Sequence, residues 1–389
     1  MMKHIQIVLK TVERCNINCR YCYMFNMGDQ TYLKRPAFIS HETIDAIALF
    51  LKEGCLALNA DALTIEFHGG EPLLQKKKDF IYACETFNRV LRPFVKLNYM
   101  LQTNAMLIDE AWLDIFYQYN IGVGVSIDGP KEYHDIYRQD KQGRGTYDRV
   151  IAGVKQLKGS QKMQELGNFG VLCVINPQTN ARDIYRHFVD EIGASCIDFL
   201  LPHLTHDEPM PFPPIAYGKF LCELFDEWVL DNDPDIYIRF FHSTLNEFTG
   251  GYSYVYGVGP RPMDEIPLLC ITTNGEITPT DELRAIGSEI IYNGLTVFNT
   301  LLDQYLTQHP LFSQLESAQM QLPAACQSCC WKQICAGGSM VSRFSQSNSF
   351  NNPSIYCEGL KQFYSHVASY LLNNGFGAEK LMKALSLNA

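Results

Sequence analysis

Residues 5–22 read IQIVLKTVERCNINCRYC. Ile5–Lys10 is a short apolar, β-branched run of the kind that forms a strand. Cys15, Cys19 and Cys22 then place three thiols within eight residues of loop. Clustered cysteines at short loop spacings mean metal, whereas scattered ones usually mean packing.

Outward from this strand the chain alternates. Ala62–Phe67, Leu97–Gln102, Gly122–Ile127, Phe169–Ile175 and Ile197–Leu201 are further strand-like runs. Helical patterns lie between them at His41–Lys52, Lys78–Leu91 and Ile108–Tyr119, with Ser40 placed to cap the first. Such alternation predicts a parallel sheet with helices outside it. Six units are too few to close an eight-stranded barrel. The fold class expected is therefore α/β, an open, partial (β/α)6 barrel over residues 1–233. By analogy with closed barrels, active residues belong at the C-terminal ends of the strands. Cys15 follows the first strand, Gly69-Gly70-Glu71-Pro72 the second and Thr103-Asn104 the third, and Ser126-Ile127-Asp128-Gly129 ends the fourth.

From about Asp233 the pattern changes. Pro and Gly become frequent, as in GGYSYVYGVGPRP, and a loop-rich segment is expected. A bridging segment over 234–269 and a cysteine-bearing domain over 270–389 are the boundaries this suggests. Cys326, Cys329, Cys330 and Cys335 cluster there, Cys357 follows, and a final helix is expected over Glu358–Leu372. Metal ligands can hold such a loop-rich region together.

Composition narrows the function. The 389 residues suit two or three domains at about 150 residues each. Apolar residues are 47% and charged residues 19%, which is ordinary globular composition. A net charge of −10 without a basic block argues against nucleic acid or an anionic membrane as partner. No apolar run reaches the roughly 18 residues a membrane span needs. The N-terminus lacks a signal-peptide core, so the cytoplasm is the expected compartment. In that reducing setting the 14 cysteines are not expected to form disulfides. Cys55, Cys84, Cys173, Cys196 and Cys222 have no partners in sequence and are expected to be buried thiols.

A structural zinc site usually takes four protein ligands, and no fourth Cys or His lies near the first three cysteines. A four-iron cluster takes one ligand per iron, so three cysteines leave one iron open. The Cys-x3-Cys-x2-Cys spacing, with Tyr21 before the third Cys and with GGEP and SIDGP at later strand ends, resembles the radical S-adenosylmethionine (SAM) superfamily. The resemblance implies a [4Fe-4S] cluster on Cys15, Cys19 and Cys22 whose open iron chelates SAM. Reductive cleavage then gives a 5′-deoxyadenosyl radical that abstracts hydrogen from an unactivated C–H bond. Carried over by motif, Gly70 contacts the SAM amino group, Tyr21 packs near the adenine, Ser126 meets the ribose and Arg138 the carboxylate. Leu200 lines the adenine pocket. The plainer readings are a surface cation for Arg138 and simple core for Leu200; His68 is read as structural.

The C-terminal segment resembles the SPASM domain of radical SAM peptide maturases, which carries two auxiliary iron–sulfur clusters. Cys270, Gly275, Cys326, Cys329, Cys335 and Cys357 fit its pattern, but two cysteine positions hold Thr280 and Ser339. Hydroxyls are poor ligands for a soft iron–sulfur site. One auxiliary [4Fe-4S] cluster is therefore expected, on Cys326, Cys329, Cys335 and Cys357. Cys270 and Cys330 are left over, with Cys330 an alternative ligand. Asp281 stands where sulfatase maturases of the superfamily have their proton acceptor. The plain alternative is a salt bridge to Arg284 or a helix cap.

The phrases NGEITPTDELR, CQSCCWKQICAGGS and FNNPSIYCEGLKQFYSHVASYL resemble cyclophane-forming peptide maturases of the Xye type. The implied reaction joins an aromatic ring to the β-carbon of a nearby residue in a ribosomally made precursor peptide. The implied partners are that peptide and a reducing electron donor of the flavodoxin or ferredoxin class. The alternatives are a thioether-forming or formylglycine-generating maturase, or a non-catalytic iron–sulfur electron carrier, which would make no 5′-deoxyadenosine. Fourteen residues precede Cys15 and 32 follow Cys357, too few for a separate winged-helix peptide-recognition domain. The precursor is expected to dock on the body of the chain or on a partner.

Overall fold

The computed structural model describes residues 4–167, 169–251, 253, 255, 268–292 and 294–386. Among them the strands are β1 (His4–Val12), β2 (Ala62–Gly69), β3 (Lys96–Thr103), β4 (Ile121–Ser126), β5 (Phe169–Val174), β6 (Cys196–Leu200), β7 (Tyr237–Ile238), β8 (Leu268–Ile271) and β9 (Ile277–Thr278). The chain divides into two compact units. The first is Met1–Ile127, His134–Gly170 and Met263–Gln314; the second is Asp128–Tyr133, Val171–Pro262 and Leu315–Ala389.

In the first unit β1 pairs in parallel with β2, β2 with β3, and β3 with β4. β1 is buried on both faces, with Ile5, Ile7, Leu9 and Val12 fully covered. That is why it reads as a continuous apolar run and not as an alternation. The helix His41–Leu58 begins where its cap predicts: the Ser40 hydroxyl accepts the Thr43 N–H at 3.0 Å. It runs past Lys52, through Gly54, to a left-handed Asn59. Gly54 is a packing site: a Cβ there would stand 2.4 Å from Leu302. The helix Lys77–Leu91 and the helix Glu110–Tyr119, capped by Asp109, match the expected patterns within two residues.

On the other side of β1 lies an addition the sequence pattern did not announce. β8 pairs in parallel with β1, and β9 runs antiparallel to β8. The expected boundary between residues 269 and 270 falls inside β8. A four-residue strand carries too little periodicity to be recognised.

In the second unit β5, β6 and β7 are neighbours in that order, with β6 and β7 parallel. The stretch after Asp233 is less loop-rich than expected. Arg239–Thr249 is a helix burying Phe240, Phe241 and Phe248. Flanking Asp233-Pro234 and Gly250-Gly251 disguise it as loop. Part of the bridging segment, residues 256–267, lies outside the described residues. The helices Pro214–Asp231 and Cys357–Asn373 approach closely at two glycines; a Cβ on Gly218 would stand 2.3 Å from the Gly359 carbonyl. This contact fixes the helix that begins at Cys357. Among the described residues no helix is long and apolar enough to cross a membrane.

Candidate active site and metal centres

The ends of β1 to β4 bring most of the first site together within one unit. Register places Lys10 beside His68 and Val12 beside Gly69, with an irregularity between Lys10 and Val12. β3 and β4 end in step, with Thr103 beside Val125. Glu71 ties these ends together. It is 1% exposed and accepts hydrogen bonds from the Thr103 hydroxyl (2.7 Å), the Asn104 N–H (2.8 Å) and the Leu73 N–H (3.0 Å). Burial pushes its carboxyl above the usual range, against these donors. Glu71 is a functional residue that sequence reasoning missed, and a lone carboxylate just after a strand end was the available signal.

The loop from Cys15 to Cys22 is held by its backbone. The Asn18 N–H donates to the Gln139 carbonyl (2.7 Å) and the Arg20 N–H to the Tyr137 carbonyl (3.0 Å). Asn104 donates to the Asn16 side chain at 2.7 Å. Cys19 is buried and Cys15 and Cys22 are half-buried. Burial pushes the Cys15 and Cys22 thiols up, and Glu71, Cys19 and Cys22 add to the effect on Cys15. Lys10 and Arg138 pull Cys22 the other way.

Arg138 is not a surface cation. It is 6% exposed and donates to the Tyr21 hydroxyl at 2.8 Å. The Gly70 N–H is bound to the Val12 carbonyl at 2.8 Å, so what Gly70 can offer an ammonium group is its carbonyl. A Cβ on Gly70 would stand 2.1 Å from the Arg14 carbonyl, which reserves the position for glycine. Ser126 accepts from Gln102 at 2.7 Å. Leu200 ends β6 in the second unit and is half-buried.

Asp281 does neither of the plain things expected of it. Arg284 pairs instead with Asp29 (2.7 Å) and Glu13 (3.3 Å), and the Asp281 side chain caps no helical N–H. Its partners are Lys10, at 2.5 Å, and the Tyr23 hydroxyl. Lys10 is fully buried in β1, directly after the apolar run Ile7-Val8-Leu9. Its three N–H groups meet three acceptors: Asp281, His68 Nδ1 (3.0 Å) and Tyr23 (3.3 Å). His68 Nδ1 also receives the Gly69 N–H at 2.8 Å, so that nitrogen carries no proton. Burial, then Lys10, lowers His68 to about 4, leaving the ring neutral. Burial alone would raise Asp281; Lys10 and the bonds from Lys10 and Tyr23 overcome it and hold the carboxyl well below its usual range. The stability this provides is present above the unfolded carboxylate value and is lost as pH falls through the depressed folded one. Lys10 and Tyr23 are the members of this cluster that sequence reasoning missed. A lysine inside a buried strand was the signal for the first.

The second unit gathers Cys326, Cys329, Cys335 and Cys357 around one hollow, walled also by Trp331 and Tyr364. Burial raises the Cys326 and Cys357 thiols and pushes Cys335 up to about 12; Cys357, Cys326 and Cys329 also act on Cys335. Cys330 is exposed and does not line the hollow. Ser339 accepts the Ser342 N–H as a helix cap. Thr280 is buried in the first unit, as is Cys270, whose thiol feels Lys10 and Asp281. Cys55, Cys84, Cys173 and Cys222 are buried, but Cys196, at the outer end of β6, is exposed.

Residues 9–185 match the family model of the Radical SAM superfamily. Over those residues, somewhat under half of its length, the chain is similar to the radical SAM superfamily. The cysteine-type anaerobic sulfatase-maturating enzyme of Clostridium perfringens (strain 13) is 26% identical over 389 residues, covering 96% of this chain and 98% of that protein. The serine-type anaerobic sulfatase-maturating enzyme of Bacteroides thetaiotaomicron is 26% identical over 413 residues, covering 98% and 95%. A solved structure described as "Native anSMEcpe with bound AdoMet" superposes with a TM-score of 0.81 at 24% identity, over 95% of this chain and 99% of that one. The fold is thus the α/β radical SAM fold with its parallel sheet.

A radical SAM enzyme takes SAM and a [4Fe-4S] cluster as cofactors. The residues present fit both. Three cysteines on one loop match a four-iron cluster with an open iron in number and spacing, although among the described residues no three His, Cys, Asp or Glu side chains are already gathered as for a metal ion. A buried guanidinium and a glycine carbonyl match the carboxylate and ammonium of an amino acid.

Proposed function

We propose that this radical SAM enzyme matures a ribosomally made precursor peptide, joining an aromatic ring to the β-carbon of a nearby residue. Two relatives similar over nearly their whole lengths are named for maturing sulfatases, and one matching structure is described as holding AdoMet and a Cp18Cys peptide. That supports a peptide substrate. The crosslink is carried by one observation: Cys270, the thiol that would begin a first auxiliary cluster, is fully buried beside Lys10 and Asp281, and its partner positions are Thr280 and Ser339. The ligand set left is Cys326, Cys329, Cys335 and Cys357, for one auxiliary cluster.

Cys15, Cys19 and Cys22 would hold the [4Fe-4S] cluster, which with SAM beside it would supply the radical chemistry that removes a β-hydrogen. Arg138 and the Gly70 carbonyl would hold the amino-acid end of SAM, Tyr21 would pack near its adenine and Ser126 near its ribose. Addition of the β-carbon to the arene leaves a ring that must lose one proton and one electron to become aromatic again. Asp281 takes the proton, held ionised by Lys10 and aimed by Tyr23. A depressed carboxylate is a weak base, but a rearomatising ring is a strong acid and needs no stronger one. The cytoplasm, with a flavodoxin- or ferredoxin-class reductant, is the setting that suits fourteen free thiols.

Incubation with the peptide encoded beside the gene, followed by tandem mass spectrometry, tests the reading. The product should lack two hydrogens and resist fragmentation between the joined residues. An aldehyde trapped by a hydrazine reagent on a Cys- or Ser-containing sulfatase peptide would instead establish formylglycine formation, the reading the relatives' names favour. Anaerobic reconstitution should give about eight irons per chain, two four-iron clusters. A value near twelve would show that Cys270 carries a further cluster.

A further inference from the structure

Arg343 is a buried cation without a counter-ion. It ends the short helix Met340–Arg343 and has no exposed surface. Its Nε donates to the carbonyls of Phe350 (3.1 Å) and Asn352 (3.3 Å), but among the described residues neither Nη1 nor Nη2 has a hydrogen-bond partner. Among the described residues no carboxylate pairs with it. The comparison with Arg284, equally buried, is direct: that side chain has Asp29 and Glu13. Burial opposes the charge on Arg343, and what favours it is Cys326 and Cys335.

Its position explains those two neighbours. The guanidinium lies against Gly337, where a Cβ would stand 3.4 Å from Cζ and from Nη1, and Gly337 lines the four-cysteine hollow. Lys361 also acts on Cys326 and Cys357, but it is exposed and its charge is screened by water. Lys332 lines the hollow and is half-buried, whereas Arg343 is the fully buried cation, held one layer behind the lining against Gly337. Buried cations with unmet N–H groups are strongly unfavourable, and native proteins keep few of them. An iron–sulfur cluster on four thiolates is an anion, and each added electron makes it more so.

We infer that Arg343 is the fixed counter-cation of the auxiliary cluster, raising its reduction potential and tying the stability of the second unit to cluster occupancy. The inference rests on the reading that Cys326, Cys329, Cys335 and Cys357 hold that cluster. A fixed cation stabilises the one-electron-reduced cluster more than the oxidised one, so it shifts the couple upward. A raised potential suits a site that must accept the electron from the substrate ring. The same charge has nothing to balance it when the cluster is absent. Removing it should therefore act in opposite directions on the two forms: the cluster-loaded chain becomes harder to reduce, and the cluster-free chain becomes more stable.

The test uses the full chain with Cys15, Cys19 and Cys22 all changed to Ala, so that only the auxiliary cluster remains. Arg343→Met and Arg343→Lys are compared with this parent by iron content, by potentiometric titration followed by electron paramagnetic resonance, and by melting of the cluster-free chain. In Arg343→Met the reduced-to-oxidised ratio at a fixed potential should fall about tenfold or more, which is about 59 mV for a one-electron couple. Arg343→Lys, which keeps the charge, should stay near the parent. The cluster-free Arg343→Met chain should melt above the cluster-free parent. Loss of iron from Arg343→Met but not from Arg343→Lys supports the inference too, since only the charge separates them. An unchanged potential with full iron overturns it, as does equal loss of iron from both variants, which would make the role one of packing. A parent with no iron would instead overturn the cluster reading beneath it.

Discussion

With Cys15, Cys19 and Cys22 all changed to Ala, 5′-deoxyadenosine should become undetectable, and iron should fall from about eight to about four per chain. The loss should be complete and not graded, because SAM cleavage has no route that avoids those thiols. The loop itself should persist. Its shape comes from main-chain bonds of Asn18 and Arg20 to Gln139 and Tyr137, and from Asn26 to the Cys19 carbonyl (2.7 Å); no thiol takes part in them. The four remaining irons should stay with the second unit, whose cysteines lie on a separate stretch of chain and fold. The checks are chromatographic assay for 5′-deoxyadenosine, iron analysis and circular dichroism. Surviving cleavage would remove the assignment of this loop as the SAM site. Loss of all iron would show that the two sites assemble together.

Where these features were legible in the sequence, a local rule made them so. β1 to β6 are apolar runs bounded by turns, and Ser40 marks a helix start because a hydroxyl can satisfy the N–H of Thr43 without any tertiary contact. The cysteine spacings carry chemistry in themselves. What escaped depended on partners distant in sequence. Gly54 looks like a helix end until Leu302 is found packed on it. β8 becomes a strand by pairing with β1, more than two hundred residues earlier. The plain alternative to a proton acceptor pairs Asp281 with Arg284, three residues on, but its partners are Lys10 and Tyr23. Nothing local links Asp281 to Lys10; the register of β1 and the turn after β9 do. Arg343 was invisible for the same reason, since its meaning lies in the absence of a carboxylate around it.

The Lys10–Asp281 pair decides how Asp281 must be tested. Asp281→Asn alone leaves the Lys10 ammonium buried without its counter-charge, and breaking such a pair typically costs about 3–5 kcal/mol. A loss of product would then be ambiguous. Changing both, to Lys10→Met with Asp281→Asn, removes the two charges together and is often close to neutral for stability. The double variant should bind SAM and make 5′-deoxyadenosine, because neither step uses the carboxylate. Its crosslinked product should fall about 100- to 10,000-fold, the usual range for a lost general base. Lys10→Met alone adds a sign that a structural role cannot mimic. Without its cation the buried carboxyl loses what held it down, so its pKa rises and it is already protonated at a higher pH than in the unchanged enzyme. Product formation in that variant should climb as pH rises through the raised value, whereas the unchanged enzyme, with Asp281 ionised throughout, should show no such rise from this group. Mass spectrometry of the peptide and chromatography of 5′-deoxyadenosine, run in parallel across pH, read both quantities from one reaction. Near-normal product from the double variant would return Asp281 and Lys10 to a structural ion pair and make Glu282 the next carboxylate to replace.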